Sequence, residues 1–175
     1  NLARNVDGIF MYLFQLPNIG ANFPYVFSTS FQSPYIGKTI REAMFGGAFF
    51  TNIIFFSLLA LKKVKEELKE KKLFGMVVAC TLFAVIIVVA DTQLAGILSR
   101  YYADFLWLLF LAAIPVLLQL WESLKGSSLQ KTLILFVLVC GIWGLFMQFG
   151  MGLQAGEIES KNTAEFYAIK EFWFG

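Results

Sequence analysis

The chain has 175 residues, 58% of them hydrophobic and 15% charged, with a mean hydropathy of +0.70 and a formal net charge of +2. An ordinary soluble domain carries roughly 25% charged residues, so these proportions exclude that class, and such hydrophobicity excludes intrinsic disorder. The apolar residues are gathered into four charge-free blocks, and the blocks define the class.

The sequence opens at Asn1 with no Met, basic n-region or cleavage site, and reads as a fragment of a longer membrane protein rather than a processed secretory precursor. The short apolar run Gly8 to Phe14 reads as an interfacial helix, or as the end of an element whose beginning lies upstream. Between Gln15 and Glu42 stand Pro17, Pro24 and Pro34 together with Phe23, Tyr25, Phe27, Phe31 and Tyr35. Proline lacks a backbone donor and biases its predecessor toward extended backbone, so an irregular loop at the membrane surface is expected here. Its aromatics serve either as interfacial anchors or as a stacking surface for a lipid-linked sugar. Lys38 and Arg41 close this segment, just before the first block.

The four blocks are Ala43 to Leu61 (19 residues), Leu73 to Ala90 (18), Phe105 to Trp121 (17) and Thr132 to Gly156 (25). At about 1.5 Å per residue, even the shortest spans roughly 26 Å, close to the ~30 Å hydrocarbon core. Backbone groups in lipid must be satisfied internally. The expected fold class is therefore all-α: a polytopic membrane helix bundle of about four transmembrane helices plus interfacial helices. The organisation follows as an outward aromatic and proline-rich segment (1–42), a four-helix bundle (43–156) and an outward amphipathic tail (157–175). Pro115 is expected to kink the third helix. Ala43 with Gly47 and Cys140 with Gly144 place small residues at helical spacing, which favours close packing. The connections between the last three blocks are short enough to make consecutive helices antiparallel neighbours.

Six lysines fall within Lys62 to Lys72, and Lys125 and Lys131 stand between the third and fourth blocks. Short Lys-rich loops stay in the cytoplasm, which places loops 62–72 and 122–131 inside and the 91–104 connection outside. The first loop also holds Glu66, Glu67 and Glu70 and reads as a solvated helical extension with some attraction for anionic lipid.

The absence of histidine removes Ser-His-Asp and Cys-His nucleophile pairs and every imidazole metal site. Cys80 and Cys140 lie inside apolar blocks, where a free Cys behaves as a small hydrophobe. Gly150, Gly152 and Gly156 have the wrong spacing for a phosphate loop. No metal, cofactor or nucleic-acid partner is expected; the bilayer and the remainder of the parent chain are. Thr51, Asn52, Ser57, Thr81, Gln119 and Gln148 are polar residues inside blocks, but none is charged, which argues against an ion-coupled transporter.

Chemistry concentrates in the outward connection from Asp91 to Asp104, which contains Arg100, Tyr101 and Tyr102. Two readings stay open. In the first, these residues form an interfacial cap, with Tyr101 and Tyr102 in the aromatic belt, Arg100 snorkelling and Asp104 favoured at a helix N-terminus. Alternatively, Arg100 binds a phosphate or sugar phosphate, oriented by Asp91 or Asp104, because guanidinium offers forked donors that match phosphate. Arg100 and Asp104 are four apart and can pair on a helix, and Lys38 and Arg41 would join them in one basic site.

The order of these features, D-x(8)-RYYADF leading into an apolar helix and then a tail of the type NTAEFYAIKEFWF, resembles the C-terminal membrane portion of bacterial GT-C-type glycosyltransferases. That resemblance implies a polyprenyl-phosphate-linked sugar as donor, transfer at the outer face of the bacterial cytoplasmic membrane, and catalytic residues outside this stretch. The alternative is a non-catalytic helical subunit or scaffold of a membrane complex, followed by a transporter module.

Overall fold

The computed structural model describes residues 2–29, 44–94, 96–155 and 162–174. It is an all-α bundle with one two-stranded ribbon. Helix α1 (Leu2–Ile9) runs into a π-helical turn (Phe10–Phe14), followed by strands β1 (Asn18–Ile19) and β2 (Val26–Phe27). Next come α2 (Ala48–Thr51), a 3-10 helix (Ile53–Lys62) and α3 (Lys65–Glu70). The long helices α4 (Phe74–Leu94), α5 (Tyr102–Ser123, entered through a 3-10 turn at Ser99–Tyr101) and α6 (Ser128–Ala155) follow, and α7 (Thr163–Phe174) ends the described chain.

Three helical stretches are long and apolar enough to cross a membrane: Phe74–Leu94, Ser99–Ser123 and Ser128–Gln154. The central one contains α5, 44% of whose apolar window is buried, against 17% for α4 and for α6. Leu82, Phe83 and Ile86 on α4 and Leu135, Ile142 and Leu145 on α6 are exposed. Apolar faces of this extent belong against lipid or a partner.

The first apolar block departs from a single α-helix. The Thr51 hydroxyl donates back to Gly47 O at 3.1 Å, the Asn52 amide donates to Thr51 Oγ1 at 3.1 Å, and Asn52 takes φ −130°, ψ 75°. Back-bonding of this kind competes with the regular ladder. The β-branched and aromatic run Ile53, Ile54, Phe55, Phe56 then continues as ten residues of 3-10 helix. Its Phe55 ring is fully buried and meets Phe110 of α5 edge-on at 4.7 Å. Helix α5 itself continues through Pro115 without interruption.

Two ends of the bundle can be recognised. At one, Lys71 forms an ion pair with Glu122, tying the 62–72 loop to the C-terminal end of α5. At the other, Asn5 pairs with Gln93, Gly8 lies against Thr92, and Phe166 of α7 packs on Phe23 at 5.0 Å. The two Lys-rich loops thus share one end, and the described parts of the N-terminal segment, the 91–104 connection and the tail share the other.

Several local expectations change. Met11, Tyr12 and Leu13 belong to the main core cluster rather than to an interface. The proline-rich segment contains an ordered antiparallel ribbon, Asn18 opposite Phe27 and Ile19 opposite Val26, supported by the Asn18 amide donating to Ser28 O at 3.0 Å. Gly47 is a close-packing position: a Cβ there would stand 2.4 Å from Phe14 N. Gly144 is not, with nothing within 4 Å of its added Cβ. Finally, α6 is not packed along α5. It docks on β2, α2 and the 3-10 helix, with Trp143 Nε1 donating to Phe50 O at 2.7 Å, while in its first half Leu133 reaches the main core cluster and no residue from 128 to 139 is buried.

Candidate functional site

The cleft that contains Arg100 is assembled from four parts of the chain. The stretch before α2 supplies Phe45 and Gly46, α2 supplies Thr51, the 3-10 turn and the start of α5 supply Ser99, Arg100, Tyr102 and Leu106, and α6 supplies Gln148 and Met151. Its volume is about 300 Å³. Most of the wall is apolar; Ser99, Arg100, Thr51 and Gln148 bring polar side chains to it, and Arg100 and Gln148 are exposed. Helix-lined clefts with a mainly apolar wall and a few convergent polar groups are the usual form of a small-molecule site.

Two tyrosines, Tyr12 buried and Tyr102 half-buried, set the shape of this cleft. The Tyr12 hydroxyl accepts the Leu98 N–H at 2.8 Å and has Gly96 O and Leu98 O, each at 3.2 Å, as acceptors for its own proton. This fixes the backbone two residues ahead of Arg100. The Tyr102 hydroxyl donates to Gly46 O at 2.5 Å, drawing the opposite wall toward α5. Gly46 itself sits at φ 134°, with Pro17 Cα 3.0 Å from where a Cβ would stand, so a side chain there would be strained and crowded. Thr29 pairs with Met44 just before this wall, its N–H and hydroxyl both donating to Met44 O, at 2.6 and 2.9 Å.

The sequence-derived candidates separate in space. Arg100 lies on the cleft wall, with its guanidinium carbon 5.4 Å from the centroid of the Tyr101 ring. Tyr101 supports that guanidinium without lining the cleft. Asp104 is exposed in the first turn of α5, where carboxylate favours the helix N-terminus, and Trp107 Nε1 donates to its carbonyl at 3.0 Å. No ion pair joins Asp104 to Arg100 among the described residues. Asp91 lies within charge–charge reach of Asp104, and its Oδ2 is buried without a hydrogen-bond partner. Neither carboxylate lines the cleft. Lys38 and Arg41 lie outside the described residues.

Sequence reasoning missed Tyr12 and Ser99, gave Tyr102 only an interfacial role, and noted Thr51 and Gln148 only as polar residues in apolar blocks. That polarity was the available signal; their convergence on Arg100 required the fold. Among the described residues no group of three or more His, Cys, Asp or Glu side chains is placed to hold a metal ion. The chemistry at hand is one guanidinium, two hydroxyls and one amide on an apolar wall.

Fold and cleft together define a helical membrane protein with an amphiphilic cleft at one end of its bundle. No protein-family model, curated protein or solved structure matches the chain.

Proposed function

We propose that this chain is the membrane-embedded part of a glycosyltransferase-like protein that holds a polyprenyl-phosphate-linked sugar at the outer face of the bacterial cytoplasmic membrane. The observation that carries this reading is Arg100 on the wall of a mostly apolar cleft, next to Ser99 and across from Thr51 and Gln148. The guanidinium takes the phosphate, the apolar wall takes the first isoprenoid units, and the hydroxyl and amide groups face the sugar. Orientation rests on the Lys-rich loops 62–72 and 122–131 as the cytoplasmic end. The transfer chemistry belongs to residues of the parent chain.

The test is binding of polyprenyl phosphate and of the uncharged polyprenol to protein in nanodiscs. Hydrogen bonds to charged groups contribute about 1.5–3 kcal/mol, so Arg100→Ala is expected to weaken the phosphate ligand by roughly ten- to a hundredfold. Arg100→Lys, a point charge without the fork, falls between. Equal affinity for the two lipids, or an unchanged Arg100→Ala, sinks the reading.

A second reading, a non-catalytic scaffold subunit, is favoured by apolar side chains exposed at the cleft end beyond the long helices. Leu16 and Ile19 are exposed there, and Leu94 is 87% exposed. Such a patch suits another protein element, including the rest of the parent chain.

A further inference from the structure

At the opposite end of the bundle, α5 and α6 diverge. No residue from 128 to 139 of α6 is buried. Between this half-helix and α5 lies a second cleft of about 240 Å³, lined by Ile114, Leu117, Leu118 and Trp121 of α5 and by Leu133 and Val137 of α6. All six are apolar or aromatic, so nothing in the wall selects a polar ligand. A wedge of this kind between membrane helices holds hydrocarbon.

The charges at its mouth select the head group. The 122–131 connection carries Glu122, Lys125 and Lys131. Glu122 is already engaged by Lys71, reaching across from the other loop. Lys125 and Lys131, both exposed, therefore leave this connection net positive. Trp121, 41% exposed on the wall, marks the level at which indole rings sit between acyl chains and head groups. The turn that carries Lys125 is held in place: the Gly126 N–H donates to Gln130 Oε1 at 3.1 Å, and Ser127 Oγ donates to Leu124 O at 2.7 Å.

We propose that this wedge is a structural site for one anionic phospholipid, with an acyl chain between α5 and the first half of α6 and the phosphate held by Lys125 and Lys131. The lipid covers apolar side chains of this half of α6, none of which is buried in the protein. It is distinct from the Arg100 cleft, lies at the other end of the bundle, and does not depend on the function proposed for that cleft.

Lipid retention measured by native mass spectrometry of the intact chain tests the site, with phosphatidylglycerol and phosphatidylcholine as probes. Each basic side chain near a membrane surface strengthens anionic-lipid attraction by about fivefold. Lys125→Ala/Lys131→Ala is expected to weaken phosphatidylglycerol by roughly twenty-five-fold and leave phosphatidylcholine unchanged. Val137→Trp, at a half-exposed position where bulk is tolerated, fills the wedge and reduces retention of both lipids. Arg100→Ala leaves both unaffected. Equal retention of the two lipids by the wild type, or unchanged retention in both wedge variants, overturns the proposal. So does a dimer, seen at matched protein concentration, that forms through α6 and excludes lipid.

Discussion

Tyr12 and Tyr102 meet edge to face, their ring centroids 5.6 Å apart and their planes at 66°. From that contact their hydroxyls act in different places, one on the backbone ahead of Arg100 and the other on Gly46 across the cleft. Phe105 completes the group, 5.7 Å from Tyr12. The cleft width is therefore set by Tyr12, buried in the core, and by Tyr102, half-buried on the cleft wall.

Tyr12→Phe keeps the ring contacts and removes the oxygen, which strands the buried Leu98 N–H. Leaving a buried donor unsatisfied costs about 1–3 kcal/mol. The expected result is a lower melting temperature in detergent together with weaker polyprenyl phosphate binding, although Arg100 is untouched. A variant that loses stability but binds as tightly as wild type would separate Tyr12 from the site.

Gly47→Ala is expected to prevent folding. Its Cβ would stand 2.4–2.6 Å from Phe14 N, Leu13 C and Gln15 N, all backbone atoms that cannot swing aside. Gly141→Ala is the control, because an added Cβ there meets nothing within 4 Å. Helix propensity makes that change stabilising by about 1 kcal/mol. Expression and size-exclusion profiles of the two variants give the comparison, and a well-folded Gly47→Ala protein would contradict the packing described.

Gln148→Leu probes the far wall. The side chain lines the cleft from α6 and is exposed to it. A neutral hydrogen bond contributes about 1 kcal/mol, so the variant should bind a sugar-bearing polyprenyl phosphate roughly fivefold more weakly. Its affinity for the bare polyprenyl phosphate should stay within twofold. Equal losses for both ligands would remove Gln148 from sugar recognition.

The shared end of the two Lys-rich loops can be fixed by chemistry. Lys71→Cys/Glu122→Cys should be joined by a short bismaleimide that replaces the reach of the two native side chains, which form an ion pair across the loops. The native Cys80 and Cys140 are both buried and contribute little background. A single Lys125→Cys, treated with a membrane-impermeant maleimide on intact cells, should remain unlabelled until the membrane is opened. Labelling of intact cells would reverse the orientation.

The long helices were legible because charge-free length is a direct requirement of the bilayer. The blocks beginning at Leu73, Phe105 and Thr132 coincide with α4, α5 and α6 to within a few residues at most ends. The block beginning at Ala43 shows where that reading stops. Hydropathy counts apolar residues and is blind to whether backbone bonds run to the third or the fourth residue, a choice made here by Thr51, Asn52 and the phenylalanines. Arg100 was legible as a scarce charge at a helix end. Tyr12 was not, because it sits 84 residues from its partner Gly96 and inside an unremarkable apolar run. The expected pairing of Arg100 with Asp104 relied on their four-residue spacing. The 3-10 turn at Ser99–Tyr101 breaks the continuous helix that spacing assumes.

The ten-residue 3-10 helix sets a ruler into the bundle. At about 2.0 Å per residue it reaches roughly 20 Å, where an α-helix of the same ten residues would reach about 15 Å. Together with the four residues of α2 it covers about 26 Å, nearly a hydrocarbon thickness, with a segment too short to do so in the α form. In the α form the same ten residues would be about 5 Å shorter, so the 3-10 winding sets how far Lys62 stands from Thr51 and the cleft wall that carries it.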